Sequence, residues 1–192
     1  RRKNDTRRNR RVVRFFGNVM IDTNIRNTIE QNLPEIENRL NQNFKLFKQS
    51  LGRGYDKLAT KLKSELLSNM VESTLEDTIS GVIAPTKDSE ADVLFDTKPL
   101  EVKTTAGTDS WRGGEFSKRP GDYLMVGWEE VEGELRLFML LTYLTEQDWI
   151  SSGSNNYYAT SISLTKIVEL LPYHIIKGSV LKKRVKTHMV KI

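Results

Sequence analysis

The chain has 192 residues, contains no cysteine and carries a formal net charge of +5. Without cysteine it can form neither a disulfide framework nor a thiolate metal site or nucleophile. Its longest apolar run, LFMLL, is far shorter than the roughly 20 residues that a membrane-spanning helix needs, so we expect a soluble protein of the cytoplasm with no membrane partner. The length favours one domain over residues 1–192.

Both ends of the chain are strongly basic. The opening RRKNDTRRNRRVVR holds eight Lys or Arg residues and the single acid Asp5, and the closing LKKRVKTHMVKI holds five Lys or Arg residues and no acid. Such blocks suit a polyanion whose counterions they release, and residues 1–11 are predicted to form a basic tail. A solvated tail that only improves solubility explains either block equally well.

The first part of the chain is predicted to be helical. TNIRNTIEQNL has helical character, and Pro34 then suits the first position of a second helix, PEIENRLNQNFKLFKQSLG, which ends near Gly52. From Tyr55 to Ile79 apolar residues recur mostly every four positions, which predicts one long amphipathic helix or two joined by a bend. The residues of this stripe are Leu58, Leu62, Leu66, Met70, Leu75 and Ile79.

A β-hairpin is predicted next, in ADVLFDTKPLEVKTT at residues 91–105. A turn at DTKP sets Phe95 opposite Leu100, and this register collects the apolar side chains of both strands on one face. The other face then brings three charged residues together: Asp92, Glu101 and Lys103. A slip by one position would divide the apolar pairs between the faces, so the hydrophobic pattern favours this alignment.

The three charged residues of the hairpin have two interpretations. Two adjacent carboxylates repel unless a cation neutralises them, and Mg²⁺ suits such a pair because it takes oxygen ligands and keeps several waters. Lys103 would then orient or deprotonate an attacking water, or offset charge in the transition state. The alternative is a cross-strand ion pair on a solvated face, worth about 0.2–1 kcal/mol.

Further strands and helices follow the hairpin. AGTDSWRGGEFSKRPGD predicts a long loop, YLMVGW a third strand, and LRLFMLLTYL, after the turn EEVEGE, a strand covered on both faces. Thr145 and Asp148 are predicted to cap a short helix, and SSGSNN to form a surface loop. YYATSISL predicts a strand and TKIVELL a helix that Pro172 ends. Helices followed by a mixed sheet indicate an α/β domain.

The hairpin resembles the signature of the PD-(D/E)XK nuclease superfamily, to which type II restriction endonucleases belong. Asp92 matches the first half of the motif, with Ala91 where the motif has proline, and EVK at Glu101–Lys103 matches the second half. The resemblance covers residues 88–128. It implies a restriction-endonuclease-like mixed β-sheet flanked by α-helices, with a helical N-terminal part.

The resemblance also implies an activity: Mg²⁺-dependent hydrolysis of phosphodiester bonds in double-stranded DNA, with Mn²⁺ able to substitute. Asp92, Glu101 and the backbone carbonyl of Val102 would hold the metal, and Lys103 would position the water. The expected protein is a type II site-specific endonuclease of a prokaryote or phage, acting as a homodimer because two-fold related sites cut both strands of a symmetric sequence.

Two further sets of residues are candidates for the site. Many such nucleases add a carboxylate from the preceding helix, and Glu72 is the first candidate for it, although an ordinary surface glutamate fits the pattern as well. The loop after the hairpin offers residues suited to phosphates and base edges: Thr104, Thr105, Ser110, Trp111, Arg112, Lys118 and Arg119. The alternative for this loop is a surface loop with Trp111 packed back on the core.

Two other functions fit the same sequence. A repair nuclease, resolvase or phage nuclease would share the catalytic core. A non-catalytic nucleic-acid-binding protein would use the basic ends for affinity, and its hairpin charges would be only an ion pair.

Overall fold

A computed structural model of the protein describes residues 20–86, 91–107, 109–113, 119–152 and 159–178. Both strongly basic ends, including the predicted tail at residues 1–11, lie outside these ranges. The helices are α1 (Thr23–Leu51), α2 (Arg53–Asp56), α3 (Thr60–Thr78) and α4 (Leu164–Leu170), with a 3₁₀ turn at Glu146–Asp148. The strands are β1 (Val82–Ile83), β2 (Val93–Phe95), β3 (Lys98–Ala106), β4 (Ser110–Gly113), β5 (Gly121–Val131), β6 (Glu134–Leu144), β7 (Ile150–Ser152), β8 (Ala159–Ser163) and β9 (Tyr173–Lys177).

Helix α1 is continuous through Pro34, so the prediction of two helices meeting at this proline was wrong. Proline costs a helix one hydrogen bond and a steric clash, but a stripe of buried side chains continues on both sides of Pro34 and outweighs that cost. The stripe consists of Ile25, Ile29, Ile36, Leu40 and Phe44. The helix begins where Asp22 accepts hydrogen bonds from the amides of Asn24 and Ile25, at 2.9 and 3.1 Å.

The segment from Tyr55 to Ile79 contains the end of α2 and the whole of α3, in agreement with the predicted alternative of two helices joined by a bend. The buried face of α3 carries Leu67, Val71 and Leu75, whereas Leu62 of the predicted stripe is 41% exposed. The predicted stripe was therefore out of phase in the first half of α3. Residues spaced four apart can lie on more than one face of a helix, so the spacing alone does not show which face is buried. Packing against the sheet decides it.

Six strands form the main sheet, in the order β1-β2-β3-β5-β6-β9. Strands β3 and β5 are parallel and the other neighbours antiparallel, so the sheet is mixed. With helices beside it and a helical N-terminal part, this is the α/β architecture expected from the sequence. None of the helices in the described ranges combines the length and the apolar character required to cross a bilayer.

Each face of the main sheet has its own hydrophobic core. Helices α1 and α3 cover one face, where α3 residues pack near Val102 of β3 and Leu124 of β5. The other face holds Tyr123 and Met125 of β5 and is covered by a second, three-stranded sheet and by α4. Strand β6 contributes to both cores, which confirms that its apolar run is buried on two faces.

The β2–β3 hairpin differs from its predicted register by two positions. Phe95 lies opposite Lys98 rather than Leu100, and the connection is the two-residue turn Asp96–Thr97 rather than DTKP. Asp96 allows the tighter turn because it adopts a left-handed conformation, with φ of 56°, which aspartate tolerates better than most residues. A shift of two leaves every side chain on its predicted face.

The long loop predicted after the hairpin contains a strand, β4. It pairs antiparallel with β8, and β8 pairs with β7, to form the smaller sheet with the order β4-β8-β7. The sequence around β4 is rich in glycine, which is typical of a loop, and this is why the strand was not predicted. One of these glycines, Gly107, does follow the end of β3 with a positive φ of 86°. The smaller sheet places Trp111 and Ile162 in the second core.

The last elements largely follow the prediction. Thr145 and Asp148 form a capping box around the 3₁₀ turn, β8 and α4 lie where strand and helix were expected, and α4 ends before Pro172. Strand β9, which pairs with the middle of β6, was not predicted. Ser151 and Ser152 of the predicted loop SSGSNN belong to strand β7, so this part of the prediction was wrong, and the rest of the loop lies outside the described residues.

Candidate active site

The candidate site lies at an edge of β3 that β2 leaves uncovered. Strand β2 pairs only with Lys98–Leu100, so from Glu101 onward no strand of the described chain pairs with that edge of β3. Asp92 directly precedes β2 and takes the place of a further strand residue: its Oδ2 accepts a hydrogen bond from the Val102 amide at 2.7 Å. Because β2 is short, the Val102 amide donates to the Asp92 carboxylate and not to the backbone carbonyl of a neighbouring strand.

Asp92, Glu101 and Lys103 converge as the hairpin pattern predicted. The Lys103 ammonium donates to Asp92 Oδ2 and to Glu101 Oε2, each at 3.0 Å. Extending the observed register by one position sets Asp92 directly opposite Glu101, rather than diagonally as expected. The shift in register thus brings the two carboxylates closer along the strands than the sequence-based alignment did.

The cluster is partly buried, which does not match an ion pair on a solvated face. The exposed fractions of the side chains are 10% for Glu101, 16% for Lys103 and 29% for Asp92. Surface pairs gain little because water screens both charges, whereas partly buried charges interact more strongly and also pay for their desolvation. The Asp92–Lys103–Glu101 cluster is therefore not an ordinary surface ion pair.

Burial and charge act in opposite directions on Lys103. Burial alone would lower the pKa of the Lys103 ammonium, but the nearby Asp92 and Glu101 carboxylates outweigh it and raise the pKa above its ordinary value. Burial raises the pKa of Glu101, and Asp92 adds to that rise while Lys103 opposes it. Lys103 is therefore a permanent cation at neutral pH, held between two acids.

Glu72 of α3 belongs electrostatically to the same cluster. Burial, followed by the negative charge of Asp92, raises the pKa of Glu72 to about 7, while a hydrogen bond from Ser68 and the charge of Lys103 act the other way. Glu65, on the same helix, is exposed and pairs with Lys61 at 3.5 Å. Glu72 is therefore a helix carboxylate that interacts with the charges of the hairpin.

The raised pKa of Glu72 predicts a pH-dependent contribution to stability. The folded state holds the proton up to about pH 7, but the unfolded chain releases it near 4.5, so Glu72 stabilises the fold below pH 4.5 and that contribution is lost as pH rises through 7. Glu72→Gln should flatten this part of the curve of unfolding free energy against pH, measured with urea in EDTA. Glu65→Gln is the control on the same helix and should retain the wild-type slope; equal slopes in wild type and Glu72→Gln would contradict the prediction.

The oxygen donors of the site fit a hard divalent cation. A residue's N–H and C=O point to the same edge of a strand, so the Val102 carbonyl faces the same open edge as its amide, towards Asp92. With Asp92 and Glu101 this makes two carboxylates and one carbonyl, a small set typical of Mg²⁺, which keeps several of its waters. Within the described ranges no three His, Cys, Asp or Glu side chains are already arranged around one point as a closed metal site.

The residues predicted to contact DNA do not share one surface. Thr105 lies on the same face of β3 as Lys103, whereas Thr104 turns to the opposite face and donates to the Ser64 carbonyl of α3 at 2.6 Å. Ser110 and Arg112 are exposed on β4, and Arg119 is half-buried just before β5. Lys118 lies outside the described residues.

Trp111 is part of the core. Its side chain is fully buried, and its indole N–H donates to the Val126 carbonyl at 3.0 Å. An indole in this position is not available to stack on a base, so the structure corrects its assignment as a DNA contact and agrees with the packed alternative. Burial follows from the strand β4, which alternates Trp111 inward and its two neighbours outward.

One neighbour of the site was missed in the sequence, Tyr123. In the parallel β3–β5 pair it lies beside Glu101 on the same face, it is fully buried, and it packs against Trp149 with ring centroids 5.7 Å apart. Its hydroxyl donates to the Arg119 carbonyl at 2.8 Å. The only sequence signal was its place in YLMVGW, two residues after the glycine that begins β5, and this does not reveal which strand lies alongside.

Comparison with known proteins adds no family to this description. No protein-family model matches the chain, and no curated protein matches it either.

Proposed function

We propose that the protein is a Mg²⁺-dependent endodeoxyribonuclease of the PD-(D/E)XK type, which hydrolyses phosphodiester bonds of double-stranded DNA at specific sites as type II restriction endonucleases do. One observation carries the proposal: Asp92, Glu101 and Lys103 meet at an unpaired strand edge, with the ammonium 3.0 Å from each carboxylate. These residues match the superfamily signature, with Glu101 and Lys103 on β3 and Asp92 directly before β2.

Each residue of the triad has a role in the proposed reaction. Asp92, Glu101 and the Val102 carbonyl would hold Mg²⁺, which when bound supplies a Lewis acid and lowers the pKa of a coordinated water. The Lys103 ammonium has three N–H donors and no acceptor. It would orient the attacking water and offset negative charge that develops on the phosphate oxygens.

The charge of the chain supports a polyanionic substrate. The chain has a formal charge of +5 and both its ends are basic. Among the described residues, Arg112 and Arg119 follow the catalytic strand on the chain and are not buried. Non-specific attraction of this kind delivers DNA to the site and falls steeply with salt, whereas specificity depends on base contacts.

Incubation of supercoiled plasmid with the protein tests the proposed function. We expect discrete linear fragments with Mg²⁺ or Mn²⁺ and none with EDTA, and sequencing of the fragment ends should show both strands cut at symmetric positions, as a homodimer would cut them. Preference for branched substrates would indicate a resolvase or repair nuclease. Binding of DNA without any cleavage in either metal would overturn the nuclease and favour a non-catalytic binding protein.

A further inference from the structure

A buried hydroxyl beside the triad is linked to an arginine at the end of the loop. Tyr123 is fully buried beside Glu101, and its hydroxyl donates to the backbone carbonyl of Arg119 at 2.8 Å. The hydrogen bond joins a buried position on β5 to the segment that leads into the same strand. The backbone at Arg119 is thereby held next to the strand that borders the triad.

Arg119 carries a positive charge just before β5, the strand that pairs with β3 beside the triad. Burial raises the pKa of Tyr123, the charges of Glu101 and Asp92 add to that rise, and the charge of Arg119 opposes it. Arg119 is half-buried, and no carboxylate of the described residues pairs with it in a salt bridge. Pro120 directly follows it and restricts the backbone of Arg119 to extended conformations, which limits the directions open to the side chain.

The guanidinium of Arg119 is suited to binding a phosphate. Arginine binds phosphate through a planar fork of N–H donors, and the gain is largest where the fork is already oriented, because less conformational entropy is lost on binding. Lys103 serves the reacting phosphate in the proposed mechanism, and it is engaged by both carboxylates. Arg119 is half-buried close to β5, so its guanidinium is a second phosphate-binding group in this part of the protein.

We infer that Tyr123 is a positioning residue that holds Arg119 for contact with a DNA phosphate flanking the scissile one. The inference rests on the proposed nuclease function. Tyr123 itself is too deeply buried to touch DNA, and the hydrogen bond from its hydroxyl to the Arg119 carbonyl is the contact through which it would position the arginine. The contact is present in both ground and transition states, so it contributes to binding more than to the chemical step.

The test combines Tyr123→Phe, Arg119→Ala and the double variant. Tyr123→Phe removes only the hydroxyl. Arg119→Ala should weaken duplex DNA binding, measured by fluorescence anisotropy in EDTA, by about tenfold, the size expected for one hydrogen-bonded phosphate contact. Tyr123→Phe should weaken it by about threefold, and the double variant should bind as weakly as Arg119→Ala alone, since the hydroxyl acts through the arginine. Arg119→Ala should also reduce the salt dependence of binding by about one counterion.

A matched control separates positioning from simple stabilisation. The Tyr55 hydroxyl donates to Glu130 at 3.1 Å in the core on the other face of the sheet, so Tyr55→Phe loses a comparable hydrogen bond away from the triad. It should leave DNA affinity unchanged. In cleavage assays Tyr123→Phe should raise KM and leave kcat nearly unchanged, whereas a general loss of folded protein lowers the apparent kcat and not the affinity.

The possible results separate this inference from the proposed function. Wild-type binding in Tyr123→Phe, or additive effects in the double variant, would overturn the positioning role while cleavage by wild type still stands. If wild type binds DNA but never cuts it, and both substitutions still weaken binding without additivity, the nuclease is overturned and the positioning role is supported. If wild type binds no DNA, both proposals are overturned.

Discussion

Lys103→Met should reduce the single-turnover rate of DNA cleavage by about 10²–10³-fold, the loss that follows removal of one donor to transition-state charge. Methionine keeps much of the length and volume of the side chain and removes the ammonium that lies 3.0 Å from Asp92 and Glu101. Duplex DNA affinity in EDTA should change by no more than a few-fold, because the effect belongs to the transition state.

The same substitution should also alter the response to metal. Without the ammonium, two carboxylates that are partly buried face each other with no cation between them. The metal-free variant should therefore have a lower Tm than wild type, and Mg²⁺ should raise that Tm more than it raises the wild-type value, because binding to the folded state alone stabilises it.

Lys98→Met is the matched control for Lys103→Met. Lys98 lies at the other end of β3, where it pairs with Asp22 at 2.5 Å and is 55% exposed. Its replacement should leave cleavage and the response to Mg²⁺ as in wild type. Cleavage at the wild-type rate by Lys103→Met would remove Lys103 from the proposed mechanism and leave the cluster as a structural ion network.

Trp111→Ala should lower the free energy of unfolding by about 3–5 kcal/mol, as expected for loss of a fully buried large aromatic side chain. The free energy of unfolding of Trp111→Phe should lie between those of wild type and Trp111→Ala, since phenylalanine keeps a ring but loses the hydrogen bond to the Val126 carbonyl. Urea unfolding followed by circular dichroism measures both.

The neighbouring Arg112 is the control for Trp111, because it lies on the same strand β4 and is exposed. Arg112→Ala should leave the urea midpoint within experimental scatter of wild type. If Trp111→Ala instead kept its stability and lost only DNA affinity, the tryptophan would be a ligand contact and the packing described for the second core would be incorrect.

The sequence predicts the faces of the β2–β3 hairpin but not its register. Side chains alternate with a period of two, so an apolar pattern decides only which residues share a face, and any shift by an even number satisfies it equally. The turn decides the remainder, and the left-handed conformation of Asp96 selects the shorter connection. The convergence of Asp92, Glu101 and Lys103 was predictable for that reason, whereas the direct opposition of Asp92 and Glu101 was not.

Long-range packing accounts for the other differences. Pro34 is a valid start for a helix by local rules, and only the buried stripe that runs past it shows that α1 continues. Strand β4 is four residues long and finds its partner β8 nearly fifty positions later, so nothing nearby in the sequence identifies it. The role of Tyr123 depends on the same kind of information, because β3 and β5 become neighbours only in the folded sheet.

The hydrogen bond from the Val102 amide to Asp92 also gives this carboxylate a structural role at the unpaired edge of β3. It blocks a stretch of β3 that would otherwise offer bare backbone groups to any extended segment of another molecule, which is how edge strands begin to aggregate. Asp92→Ala would remove both the proposed metal ligand and this protection, so self-association of that variant would confuse any test of the ligand. Asparagine keeps an acceptor for the amide, so Asp92→Asn removes the charge of the proposed ligand and leaves this edge of β3 covered.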